Sequence, residues 1–166
     1  MPTRENLQAA FAGESQANRM YLAFAKKADQ DGFPNTARLF RAAAAAETVH
    51  AHAHFRVLGG VKTTEDNLKA AIAGEAHEFQ EMYPAFLAEA EAAGEKGAVL
   101  SFRYALAVEK IHHDLYAEAL AAFTSGHDTT AGDMWVCAVC GHTIRGNAPE
   151  RCPVCGAVHE KYTKVE

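Results

Sequence analysis

Residues 41–50 read Arg41-Ala42-Ala43-Ala44-Ala45-Ala46-Glu47-Thr48-Val49-His50, a helix-favouring run that ends in Glu-x-x-His. Residues three apart share one helix face, so this pair offers an oxygen and a nitrogen to the same point. The pattern recurs at Glu109-Lys110-Ile111-His112. With 15 Glu and 9 His in 166 residues, chance alone supplies about 0.8 such motifs. The weight therefore rests on where the two motifs stand.

Working outward, the first 125 residues punctuate into four helical stretches. The first runs from about 3 to 29 and ends at Asp31-Gly32-Phe33-Pro34-Asn35; the second runs from about 36 to 58 and is closed by Gly59-Gly60. The third starts near Thr64 or Asn67 and is stopped by Gly94, with Pro84 expected to remove one backbone hydrogen bond and bend it. The fourth runs from about 95 to 123, before Ser125-Gly126. Four long helices with short connections predict a mainly α chain folded as a four-helix bundle. Each Glu-x-x-His lies near the middle of its own helix. Helix one adds Glu14 to a face of Leu7, Ala10, Phe11 and Ala17, and helix three adds Glu75-Ala76-His77-Glu78.

A bundle interior lined by these groups would bury several carboxylates, a prohibitive cost without cations. One Glu from each of two helices and Glu-x-x-His from the other two is the ferritin-like dimetal arrangement. In it Glu47 and Glu109 bridge two metals, Glu14 and Glu75 cap them, and the histidines add nitrogen. Mixed oxygen and nitrogen ligands suit iron or manganese. Glu78 is one carboxylate more than such a centre needs. The surplus predicts a site that exchanges ligands, with Glu78 and His50 competing for one metal as its charge changes.

Residues 126–132 (Gly126-His127-Asp128-Thr129-Thr130-Ala131-Gly132) are small and polar, a linker by composition. They place a domain boundary near residue 130, dividing a body (1–130) from a tail (131–166). All four Cys lie in the tail, as Cys137-Ala138-Val139-Cys140-Gly141 and Cys152-Pro153-Val154-Cys155-Gly156. Two CxxCG turns can bring four thiolates tetrahedrally onto one metal. A module this small needs such a staple, because its apolar core is too slight. Spacing alone leaves two metals open: zinc would make a structural clip, iron a one-electron carrier.

Composition narrows the classes. The longest apolar run, residues 134–140, is far short of the roughly 20 residues of a membrane span. The start, Met1-Pro2-Thr3-Arg4-Glu5, lacks the apolar stretch of a secretory signal. A net charge of −5 with scattered Lys and Arg leaves no footprint for nucleic acid. The expectation is a cytoplasmic protein whose paired Cys bind metal rather than form disulfides.

Together the motifs resemble the rubrerythrin family over essentially the whole chain. The residues that carry the resemblance are Phe11-Ala12-Gly13-Glu14-Ser15-Gln16-Ala17-Asn18, Glu47-Thr48-Val49-His50, Gly74-Glu75-Ala76-His77-Glu78 with Tyr83-Pro84, Glu109-Lys110-Ile111-His112 and the two CxxCG knuckles. The tail also matches the rubredoxin pattern, with Trp135 two residues before the first Cys. The resemblance implies a ferritin-like bundle whose Glu14, Glu47, His50, Glu75, Glu78, Glu109 and His112 ligate two irons. It implies a third iron on Cys137, Cys140, Cys152 and Cys155, and a role around the diiron site for Tyr21 and Tyr83. His142 departs from the pattern, standing where an aromatic residue is usual. His54 shares a face with His50, while His52, His77, His113, His127, His142 and His159 are expected to be solvated.

The implied activity is a cytoplasmic non-haem diiron peroxidase that reduces hydrogen peroxide to water and protects against oxidative stress. Glu78, His50, Tyr21 and Tyr83 would act at the reaction, with electrons arriving through the four-cysteine iron. An external rubredoxin or a flavoprotein, NAD(P)H-dependent reductase must feed that iron, since the chain carries no GxGxxG. Two other readings compete: iron oxidation and storage, or a zinc-ribbon binding protein with an inert bundle. Finally, the connection between helices two and three is barely long enough to return along the bundle. A taut connector invites a second copy to supply helices three and four, so a homodimer is expected, and two arrangements stay open: exchanged helix pairs, or a short loop joining an antiparallel pair in a different bundle order.

Overall fold

Alanine at the contact positions lets the first two helices approach closely. In the computed structural model, which describes residues 2–166, α1 (Pro2–Gln30) and α2 (Pro34–Val57) form a hairpin. Ala25, Ala28, Ala37, Ala44 and Ala51 are buried in it. Its partners run in opposite order along the two helices: Phe11 stacks on Phe55 with centroids 4.8 Å apart, Phe24 meets Phe40 at 5.6 Å, and Arg41 pairs with Asp29 at 2.7 Å. The Asn18 amide donates to the Ala44 carbonyl at 2.6 Å and to Thr48 Oγ1 at 2.8 Å. That bond fixes the register one turn beyond Glu14 and next to Glu47.

This hairpin belongs to a compact unit ending at Lys62; a second unit comprises Thr63–Glu166. Just after α2 the chain curls, with the Gly60 amide donating to the Phe55 carbonyl at 2.9 Å. Gly60 lies so near the Phe55 ring that a Cβ there would come within 2.2 Å of it, so only glycine fits.

The second unit starts with α3 (Thr64–His77), capped by the Thr63 hydroxyl, which accepts from the Asp66 amide at 3.1 Å. The expected third helix is not one regular α-helix. A π-helical turn, Glu78–Met82, separates α3 from α4 (Tyr83–Ala93). Pro84 in the first turn of α4 has no N–H to give an upstream carbonyl, so the ladder is re-registered immediately before it. α4 ends at Gly94 in the left-handed conformation. α5 (Lys96–Thr124) runs back along both. Phe79 meets His113 at 5.4 Å, Tyr83 and Phe86 meet Phe102 at 6.2 and 5.7 Å, and Glu91 pairs with Arg103 at 3.0 Å. Four helical rods and a small C-terminal sheet make the mainly α, ferritin-like class with a rubredoxin-like domain. Among the described residues, no helix is long and apolar enough to cross a membrane.

In the tail, β1 (Met134–Cys137) pairs antiparallel with β2 (Thr143–Arg145) on one side and β3 (Tyr162–Val165) on the other. Cys137, Cys152 and Tyr162 are its buried centre, with Trp135, Ile144 and Val154 packed around them. The tail seats on α5 through β2. The Arg145 guanidinium pairs with Glu118 and donates to Thr129 at 3.0 Å. Gly141 lies against Val108, where a Cβ would come within 3.7 Å of Cγ1.

Candidate metal centres

The first unit brings Glu14 of α1 together with Glu47 and His50 of α2, their donor atoms all within 4.8 Å of one another. His50 Nδ1 lies 3.0 Å from Glu47 Oε2 and 4.0 Å from Glu14 Oε1. The two carboxyl groups hydrogen-bond to each other, which pushes Glu14 up and, with help from His50, pulls Glu47 down. A cation between the two carboxyl groups would replace that hydrogen bond. His54 also bears on Glu14, as its place one turn beyond His50 predicts. Tyr21 sits further along α1 with its ring between Phe24 and Phe40, at 6.3 and 6.2 Å.

The second unit assembles a matching trio, Glu75 of α3 with Glu109 and His112 of α5, again within 4.8 Å. His112 Nδ1 is 2.8 Å from Glu109 Oε2. Burial raises Glu75, and the charge of Glu109 raises it further. Glu78, first residue of the π turn, is raised by burial and then by Glu109. Tyr83 is pushed up by burial and by the charges of Glu78, Glu109 and Glu75, so it keeps its phenolic proton beside them. Glu78 opens the π turn and Tyr83 follows it, and both stand near the charges of the trio.

Three carboxylates that repel one another, relieved only by imidazoles, fit a site for cations. The sign of the pH effect follows. Glu75 and Glu78 hold protons more tightly folded than unfolded, so the stability they contribute is present below the ordinary carboxylate range and lost as pH rises through their raised values. Acidifying the metal-free protein from about pH 7 to about pH 5 should raise its Tm by about 2–4 °C relative to a Glu75→Gln, Glu78→Gln variant. Calorimetry of both proteins at the two pH values checks this; equal shifts would contradict it.

The four cysteines form a third group. Cys137 and Cys155 Sγ are 3.7 Å apart, Cys140 and Cys152 Sγ 3.5 Å. A tetrahedron with metal–sulfur bonds of about 2.3 Å has edges of about 3.8 Å, so the cage fits a single ion. Burial alone would raise the Cys152 thiol, but the Tyr162 hydroxyl and the Cys155 and Val154 amides donate to it and bring it down to about 6. His142, expected to be solvated, is instead buried, its Nδ1 2.7 Å from the Tyr162 hydroxyl. It occupies the aromatic position of the pattern as a ring set edge-on to Tyr162, and burial lowers its pKa.

Spacing gave no sign of one contact. Thr143 Oγ1 of the tail lies 2.9 Å from His112 Nε2, and only the docked sheet reveals it.

A family model described as rubrerythrin matches residues 5–120, and one described as the rubrerythrin rubredoxin-like domain matches residues 135–163. The chain is 37% identical to rubrerythrin-2 of Clostridium acetobutylicum over 174 residues, spanning 96% of this chain and 95% of that protein. It is 36% identical to a rubrerythrin of Porphyromonas gingivalis, over 92% and 84% of the two chains. Nigerythrin of Nitratidesulfovibrio vulgaris is 33% identical over 97% and 85%. Among solved structures, mixed-valence and fully reduced, all-ferrous nigerythrin align at 32% identity with TM-scores of 0.57 and 0.58, covering 98% of this chain and 86% of theirs. Iron is accordingly the cofactor of both the carboxylate–histidine and the four-cysteine sets. With both its helices and its cysteines matched in the same order as in these relatives, the chain belongs to the rubrerythrin family.

Proposed function

We propose that the protein is a peroxidase that reduces hydrogen peroxide to water, with electrons entering singly through the four-cysteine iron. The observation that carries the reading is the coexistence of two three-ligand carboxylate–histidine groups and one four-sulfur cage in a single chain. When bound, two irons at the carboxylate–histidine groups supply the two electrons that, with two protons, convert one peroxide to two waters. Glu14, Glu47, His50, Glu75, Glu109 and His112 orient that site, and Glu78 is the seventh ligand. Tyr83 is pushed above its ordinary value beside the trio, so it serves as a hydrogen-bond and proton donor to the departing oxygens. His50 is the exchanging ligand in this reading, competing with Glu78 for one metal. Tyr21 belongs to the same reading as a hydrogen-bonding residue around the site. The division near residue 130 separates the catalytic bundle from the electron inlet, which an external rubredoxin or a reductase serves.

The test is anaerobic. Peroxide added in stoichiometric amount to the fully reduced protein should restore the ferric-thiolate colour in stopped flow. Rapid oxidation of added ferrous iron with no response to peroxide would favour storage instead and sink the peroxidase reading.

Exchange of helix pairs between two copies completes the site in this reading. A ferritin-like bundle needs one long crossover between its second and third helices. Here only residues 58–63 join α2 to α3. The seven Cα steps from Val57 to Thr64 reach at most about 25 Å, whereas setting His50 level with Glu75 on parallel helices needs about 27 Å. The curl that ties the Gly60 amide to Phe55 shortens the reach further. A second copy therefore supplies the missing three ligands, and the protein works as a homodimer.

A further inference from the structure

We propose that the four-cysteine domain fixes the direction and tautomer of the His112 ligand through the Thr143 hydroxyl, making the tail a structural part of the carboxylate–histidine site. The proposal rests on the reading of His112 as a metal ligand. His112 presents two ring nitrogens, with Nδ1 2.8 Å from Glu109 Oε2 and Nε2 2.9 Å from Thr143 Oγ1. Thr143 Oγ1 in turn lies 3.0 Å from the Gly141 carbonyl. A carbonyl only accepts, so the hydroxyl proton points at Gly141 and Oγ1 offers its lone pairs to the imidazole. Were the proton turned toward His112, two oxygen lone pairs would face each other at 3.0 Å. The imidazole must therefore donate from Nε2, so Nδ1 is the nitrogen left to ligate a metal beside Glu109; without metal, Nδ1 donates to Glu109 Oε2 at 2.8 Å.

Thr143 is held in place by the tail rather than by the bundle. It opens β2 and pairs with Val136 of β1, adjacent to Cys137. The contact of Gly141 with Val108 and the Arg145–Glu118 ion pair anchor the sheet on α5 on either side of His112. The other Glu-x-x-His differs: His50 has an ordinary helical neighbour in Glu47 and a largely exposed ring. Two motifs alike in sequence thus differ in one contact: Thr143 of the tail meets the His112 ring.

The test uses full-length protein with zinc in the cysteine cage and the carboxylate–histidine groups metal-free. Nitrogen NMR of 15N-histidine protein should show His112 Nε2 protonated in the wild type and in Thr143→Ser, but mainly unprotonated in Thr143→Val, where Nδ1 alone keeps its proton toward Glu109. Cobalt(II) titration, followed by visible absorption, should weaken about 10-fold in Thr143→Val and stay within about twofold in Thr143→Ser. Unchanged protonation of His112 Nε2 in Thr143→Val overturns the proposal. Failure of the wild type to bind cobalt would instead overturn the ligand assignment, and the nitrogen spectrum would still decide the role of the hydroxyl.

Discussion

Chains carrying Glu47→Ala and chains carrying Glu109→Ala, each expected to be inactive alone, should recover peroxide reduction when unfolded and refolded together. Each substitution removes a carboxylate from a three-ligand group, Glu47 from the group with Glu14 and His50, Glu109 from that with Glu75 and His112. Either loss should lower kcat by a factor on the order of 1000, because an incomplete two-metal site stabilises neither oxygen of the breaking bond. With exchanged helix pairs, a mixed dimer places both defects in one site and leaves the other intact. Random pairing makes about half the dimers mixed, so about a quarter of wild-type activity returns. If every site were built from one chain, each site in the mixture would carry one defect and activity would stay absent. Refolding wild type with the Glu47→Ala, Glu109→Ala double variant supplies the control. There each mixed-dimer site carries one defect, so mixing lowers activity below the simple average.

Much of the helical body was legible because its signals are local. Runs of alanine, the Asp31-Gly32 and Gly94 stops and the three-residue spacing of Glu47–His50 and Glu109–His112 each act within a turn or two of chain. The observed helices begin and end close to those marks. The cysteine cage was legible for the same reason, since CxxCG fixes two sulfurs within one turn. The π turn at Glu78–Met82 was not. Pro84 announces a missing donor, but whether the ladder bends or re-registers depends on the packing of Phe79 and Tyr83 against α5. His142 was misjudged because exposure follows from tertiary packing: its burial requires Tyr162, twenty residues away, to receive its ring. Thr143 escaped altogether, since a threonine in a short strand has no pattern that points to a histidine on another element. The carboxylates show the same division. Spacing places Glu75 on the Glu78 face, but burial and then the approach of Glu109 raise both.

Cys152→Ala should abolish steady-state turnover while sparing a single turnover of chemically reduced bundle. Cys152 is buried at the centre of the tail, with Cys140 Sγ 3.5 Å away. Removing its thiol leaves three sulfurs and takes away the ion that holds together a core of only a few side chains. Apparent binding energies of about 10–16 kcal/mol for structural tetrahedral sites of this size are folding energy, so the β1–β3 sheet should be lost with the metal. The ferric-thiolate absorption then disappears, and reductase-driven peroxide consumption falls on the order of 100-fold for want of an inlet. Dithionite reaches the bundle without the tail, so one equivalent of peroxide should still be consumed after chemical reduction. Cobalt affinity at the carboxylate–histidine site should fall together with the inlet, because Thr143 leaves His112 when the sheet unfolds. A variant that kept full reductase-driven turnover would show that electrons enter the bundle by another route. One that lost turnover but kept wild-type cobalt affinity would confine the tail to electron delivery and remove it from the architecture of the bundle site.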